Sequence, residues 1–181
     1  MTATKVPALR FECTLCADCC TKYIPLIVSE DVRRVMHHTG LPAREFVRFY
    51  DPDEVRLPAR DRAWIQTRYG RRVLGLRKVR RGRCYFLKGV RCSIHAHKPL
   101  LCRMYPFRPV DPRREPTQFV LPQREPCKAM RGRRLLLGPL RMVYQDYSDT
   151  LWSYEDEVRL WNRESEGRGT TVGFLRFLGL E

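Results

Sequence analysis

The chain has 181 residues and a mass of 21.5 kDa, the size of one compact domain, and 43% hydrophobic content excludes wholesale disorder. No apolar run approaches the roughly 18 residues that would span a bilayer, and eight cysteines in 181 residues fall short of the roughly 8–10% found in disulfide-stapled miniproteins. The net charge of +15 lies wholly in the middle of the chain: residues 1–60 carry +1, residues 61–141 carry +18 and residues 142–181 carry −4.

In chain order, the first landmark is Cys13-Thr14-Leu15-Cys16-Ala17-Asp18-Cys19-Cys20. Ser29 then stands as an N-cap before Glu30 and Asp31, Val32, Val35 and Met36 follow helical spacing, and Gly40 supplies the stop. Pro42 opens a second short helix through Phe46, Val47 and Tyr50, closed by Asp51-Pro52, and residues 51–61 read as a loop. From Trp64 to Val79, alternation at Ile65, Thr67 and Tyr69, a turn at Gly70-Arg71-Arg72 and the run Val73 to Leu76 predict a hairpin. Cys84 to Leu87, a turn at Lys88-Gly89, and Arg91 to Ile94 predict a second hairpin with a cysteine on each arm. Six prolines between residues 106 and 126 exclude a long helix there and leave room for one strand at Gln118 to Leu121.

The last third has helical periodicity, with Leu140, Val143, Tyr144, Tyr147 and Leu151 continuing towards Val158 and Trp161. Gly167-Arg168-Gly169 reads as a hinge, and Thr170 or Thr171 caps a final helix bearing Phe174, Leu175, Phe177 and Leu178. The expectation is a single α+β domain over residues 1–181, with short antiparallel hairpins around a cysteine metal site and helices at both ends. Residues 13–127 form the cysteine-cluster region and residues 139–181 the C-terminal helical region.

The cysteines carry the chemistry. Met1 to Arg10 lacks the apolar stretch of a secretory signal, so a reducing cytoplasmic setting is expected and the thiols read as metal ligands or redox groups before disulfides. Thiolates are soft donors that select zinc, copper(I) or iron–sulfur clusters. Cys13, Cys16 and Cys19 have the C-x2-C-x2-C spacing that holds three corners of a [4Fe–4S] cluster in bacterial ferredoxins, from which the adjacent Cys20 departs. As a helix, the four cysteines of this block would share one third of the circumference. A structural zinc site usually pairs two C-x2-C knuckles, and Cys84, Cys92, Cys102 and Cys127 contain none, so spacing favours iron–sulfur over zinc. Cys19 and Cys20 are adjacent and their side chains are expected to diverge. Each metal site is therefore expected to mix the N-terminal block with the remote cysteines.

The same residues resemble the CxxCxxCC cysteine-cluster proteins, the YkgJ-like group described as a zinc- or iron-chelating domain. The resemblance runs through Cys13, Cys16, Cys19 and Cys20, then Cys84-Tyr85-Phe86-Leu87, Cys92-Ser93-Ile94-His95, Lys98-Pro99, Cys102-Arg103-Met104-Tyr105-Pro106-Phe107, and Cys127, and it consumes all eight cysteines. His95 stands where the family usually has Tyr, and Lys98 where it usually has Arg; Lys keeps the charge but loses the planar fork. A flagellin lysine N-methylase branch of the family implies that such a domain can accompany methyl transfer. Residues 1–181 contain no glycine-rich nucleotide fingerprint, and the methylase activity is not carried over.

Around the cysteines, Arg103 is a candidate cofactor-binding residue, placed to donate to a cluster sulfur or thiolate. His95 and His97 flank the second cysteine group, but eight thiols already suffice for two four-ligand sites, so an outer role is expected of them. His37 and His38 suit a helix C-terminus, and Tyr105, Pro106 and Phe107 are expected to wall the metal site. No hydrolase motif is present. The excess charge of residues 61–141 would attract nucleic acid or an acidic protein, the alternative being a zinc-stabilised binding module. Arginine outnumbers lysine 29 to 6, a skew that a GC-rich genome alone could impose.

Overall fold

The computed structural model describes residues 13, 15–109, 119–120 and 137–181. A short helix α1 (Asp18–Lys22) precedes α2 (Ser29–Thr39) and the single turn α3 (Ala43–Phe46), which runs directly into strand β1 (Val47–Tyr50). Strands β2 (Ile65–Thr67) and β3 (Gly70–Leu76) form the expected first hairpin, with its turn at Arg68 and Tyr69 and the expected turn residues Gly70, Arg71 and Arg72 paired within β3. Four two-residue strands follow, β4 (Lys78–Val79), β5 (Arg83–Cys84), β6 (Leu87–Lys88) and β7 (Arg91–Cys92), pairing β4 with β5 and β6 with β7. Helix α4 (Leu100–Met104), the pair β8 (Arg108–Pro109) and β9 (Phe119–Val120), the 29-residue α5 (Leu137–Ser165) and α6 (Thr171–Phe177) complete the order. Helices combined with short antiparallel strand pairs make the α+β architecture that the sequence pattern predicts. Among the described residues no helix is long and apolar enough to cross a membrane.

β3 is the centre of the main sheet, with β1 and β2 antiparallel on its two sides. Residues 25–27 also pair with its C-terminal half: Ile27 N–H donates to Leu74 O at 3.1 Å, and Leu76 N–H donates to Pro25 O at 2.9 Å. This crowding makes glycine necessary at 75, where a Cβ would lie 2.9 Å from Tyr50 Cε2 and 3.2 Å from Pro25 O. Tyr50 cannot easily yield, because its buried hydroxyl donates to Leu76 O at 2.6 Å and accepts from Lys78 N–H at 3.2 Å.

Two helices cover the sheet. α2 buries Val32 and Val35 and α5 buries Tyr154 and Val158 in one core with the sheet residues, while Leu140 of α5 is buried at the cysteine cavity. Asn162 of α5 pairs with β2 as a further strand would: Gln66 N–H donates to its Oδ1 at 2.7 Å, and its Nδ2 donates to Trp64 O at 2.9 Å. Trp161 Nε1 donates to Gln66 O at 3.1 Å. A bare sheet edge is a template for unwanted pairing, and here two side chains occupy it. Glu157 ties the two helices together by accepting from Ser29 Oγ and, at 3.2 Å, from Arg33.

Several local expectations change. Ser29 is the first helical residue rather than the N-cap, which is Val28, and its hydroxyl turns to Glu157 instead of to α2's own amides. Val47 to Tyr50 is strand rather than helix, because pairing of these β-branched and aromatic residues with β3 outweighs the helical start made by Pro42. The second hairpin is shorter than expected, and only Cys92 lies on it; Cys84 sits on β5, opposite Lys78. Gly167 to Gly169 forms a fixed turn and not a hinge: Arg168 N–H donates to Ser165 O at 2.8 Å, and the Trp161 ring occupies the space a side chain at Gly169 would need. Thr170 caps α6, accepting from Gly173 N–H at 3.0 Å. The strand expected at 118–121 is present as Phe119–Val120, and the expectations on Pro112, Pro116, Pro122, Pro126 and Cys127 lie outside the described residues.

Candidate metal centre

The cysteine block is not one helix. Leu15 and Ala17 take left-handed backbone angles, φ 55° and 61°, so the helix begins only at Asp18 and contains Cys19 and Cys20 alone. Ala17 O accepts from Cys20 N–H at 2.9 Å and from Thr21 N–H at 3.1 Å, which fixes this start. The sulfurs of Cys19 and Cys20 lie 3.8 Å apart in a thiol–thiol contact, so these side chains converge where divergence was expected.

The remote cysteines reach the same place from three elements. β4 and β5 pair Cys84 with Lys78, and β6 and β7 set Cys92 opposite Leu87. Cys102 lies on α4, whose start is held by Asp31 of α2: the Leu100 N–H, one of the amides a helix N-terminus leaves unpaired, donates to Asp31 Oδ1 at 3.0 Å. Asp31 is buried and also paired with Arg34. Cys13, Cys16, Cys19, Cys20, Cys84, Cys92 and Cys102 all line one cavity of about 280 Å³. Cys13 and Cys16 are exposed, Cys84 is buried, and all seven are free thiols. Leu76, Phe86, Leu87, Ile94, Phe107 and Leu140 complete a largely apolar wall, in which Tyr105 also stands. Among the described residues no three Cys, His, Asp or Glu side chains are gathered closely enough to clasp one ion as they stand; the sulfurs surround a space.

Electrostatics divide these thiols into two kinds. Hydrogen bonding from Cys20, helped by Lys98 against the cost of burial, draws the Cys19 thiol down to about 6, and the same two groups draw Cys92 down to about 7. Cys20, facing both, is held protonated and pushed far up. Burial pushes Cys84 and Cys102 up. Thiolate is the form that binds metal, and a metal removes the penalty from the others by replacing their protons.

Three cations serve the cavity. Lys78 Nζ donates to Cys20 O at 2.9 Å, tying β4 to α1, and burial lowers its pKa while the thiols oppose the fall. Lys98 and Arg103 both line the cavity, and Arg103 Nε donates to Lys98 O at 3.0 Å. His95 also lines it, whereas His97 lies outside and stacks on His38 with ring centroids 3.5 Å apart. The sequence marks Asp31 only as an acid at a helix start, and Lys78 not at all beyond its being a lysine in a run dominated by arginine.

A family model described as "CxxCxxCC: Putative zinc- or iron-chelating domain" matches residues 12–128, well over half of the chain. The chain belongs to the CxxCxxCC family. No curated protein and no solved structure gives a significant match. The donor set suits the chelating role: the CxxCxxCC domain places seven soft sulfurs around one apolar cavity, and the eighth family cysteine, Cys127, lies outside the described residues.

Proposed function

We propose that this CxxCxxCC domain holds an iron–sulfur cluster, of the [4Fe–4S] type, in the cysteine cavity, and that the whole chain acts as one cytoplasmic domain built around it. The observation that carries this reading is the convergence of seven thiols on a space of about 280 Å³. A zinc ion held by four thiolates at about 2.3 Å fills its own site and needs no such space. A cluster of iron and sulfide is several atoms across, and the C-x2-C-x2-C spacing of Cys13, Cys16 and Cys19 supports the same choice. Its ligands come from Cys13, Cys16, Cys19, Cys20, Cys84, Cys92, Cys102 and Cys127, four for each cluster. When bound, such a group supplies one-electron redox chemistry or structural cross-linking. The chain's own part is to exclude water with Phe86, Leu87 and Phe107 and to offset negative charge with Lys98 and Arg103.

Zinc remains the second reading because of one distance. Sulfurs about 2.3 Å from a tetrahedral zinc lie about 3.8 Å from one another, which matches the 3.8 Å between Cys19 and Cys20. Anaerobically purified protein distinguishes the two. The cluster reading expects brown protein with acid-labile sulfide and broad absorption near roughly 400 nm; colourless, zinc-loaded protein would overturn it.

A further inference from the structure

From residue 62 to residue 110 the chain contains fourteen arginines and lysines and not one aspartate or glutamate. Part of this stretch builds the two small hairpins beside the cysteine cavity. The tip between β4 and β5 carries Arg80, and the β6–β7 tip carries Lys88 and Arg91, all exposed, as is Arg77 just before β4. The tips adjoin, because Arg83 of the first donates to Gly89 O of the second. Lys88 and Arg91 stand opposite each other in register, an arrangement of like charges that weakens a strand pair.

Some exposed arginines elsewhere are neutralised, Arg48 by Glu54, Arg168 by Glu166 and Arg176 by Glu181, while Arg44, Arg56, Arg60, Arg68 and Arg163 are scattered singly. Among the described residues no carboxylate pairs with Arg77, Arg80, Lys88 or Arg91. What sets the tips apart is that their like charges are held side by side, with Lys88 and Arg91 in register, a repulsion that a polyanionic partner would relieve.

We propose that these two hairpin tips bind the phosphate backbone of a nucleic acid, with Arg77, Arg80, Lys88 and Arg91 as the contacts. An acidic protein would be met by charges of both signs that fix its register, and here only one sign is present. A bilayer surface calls for apolar area to insert, and the exposed apolar side chains of the tips are two small ones, Val79 and Val90. Uniform positive charge rich in arginine, whose fork matches phosphate, is what a repeating phosphate chain requires. Val90 also lines the cysteine cavity, so the bound backbone would pass its mouth.

The test uses the full metal-loaded chain and a short fluorescent DNA duplex of arbitrary sequence, titrated at several salt concentrations. Affinity should fall linearly on logarithmic axes, with a slope of about −0.9 for each phosphate contacted. Arg80→Gln combined with Arg91→Gln should make that slope shallower by about 2 and weaken binding uniformly across sequences. Neither side chain makes a hydrogen bond with another described residue, so the double variant should fold; Arg77→Gln with Lys88→Gln provides an independent pair. Arg176→Gln, on the paired arginine, should change nothing. A salt-independent signal, binding by both double variants as tight as that of the unsubstituted chain, or retention on phosphatidylserine vesicles without retention of the duplex would each overturn the proposal.

Discussion

Asp31 sits in the first turn of α2, buried, with Arg34 on one side and the Leu100 amide on the other. Burial raises its pKa above the ordinary 3.8, although the Leu100 amide and Arg34 pull the other way. A carboxyl whose folded pKa is raised holds its proton more tightly folded than unfolded. Its contribution is therefore most favourable below 3.8 and is lost as pH rises through the folded value. Asp31→Asn keeps an acceptor for Leu100 and should flatten the fall of stability above that pH, as read by denaturant unfolding at a series of pH values. Asp31→Ala leaves the Leu100 amide buried and unpaired and should cost about 1–3 kcal/mol at any pH. That the cysteines form one group was legible, because soft donors at two-residue spacing have few other uses, and seven of them line one cavity. The role of Asp31 was not, because its partner Leu100 lies 69 residues away and nothing local marks the contact. The contact between Cys19 and Cys20 was misjudged for a related reason: their convergence depends on the left-handed turn at Ala17, a conformation alanine rarely adopts.

At the scale of elements, periodicity found α2, the β2–β3 hairpin and the long α5, whose lengths give a repeating signal. It failed at β1 and at the β4–β5 pair, and it drew the β6–β7 hairpin too long, because there the pattern is shorter than its own period and distant pairing decides the conformation. Gly75 shows what such pairing demands. With β1 on one side and residues 25–27 on the other, the strand has no room for a methyl group. Gly75→Ala should force Tyr50 from its two hydrogen bonds and cost about 1–3 kcal/mol by overpacking, lowering the urea midpoint without changing the slope of the transition. An unchanged midpoint would mean that the sheet beside the metal centre is looser than the packing around Tyr50 implies.

Across the whole molecule, α1 and the segment from β5 to α4 meet around one cavity, although sixty residues, 23–82, separate them in sequence. A metal centre shared between them would close a long loop of chain and so couple metal binding to folding. Serine at one cysteine of each group measures this directly. Cys16→Ser removes a thiol of the N-terminal block and Cys92→Ser one of the remote set, and both line the same cavity. A shared centre predicts that each variant, purified anaerobically, loses metal per chain and melts at a lower temperature, with the two losses moving together. Full metal content and an unchanged melting temperature in either variant would contradict it.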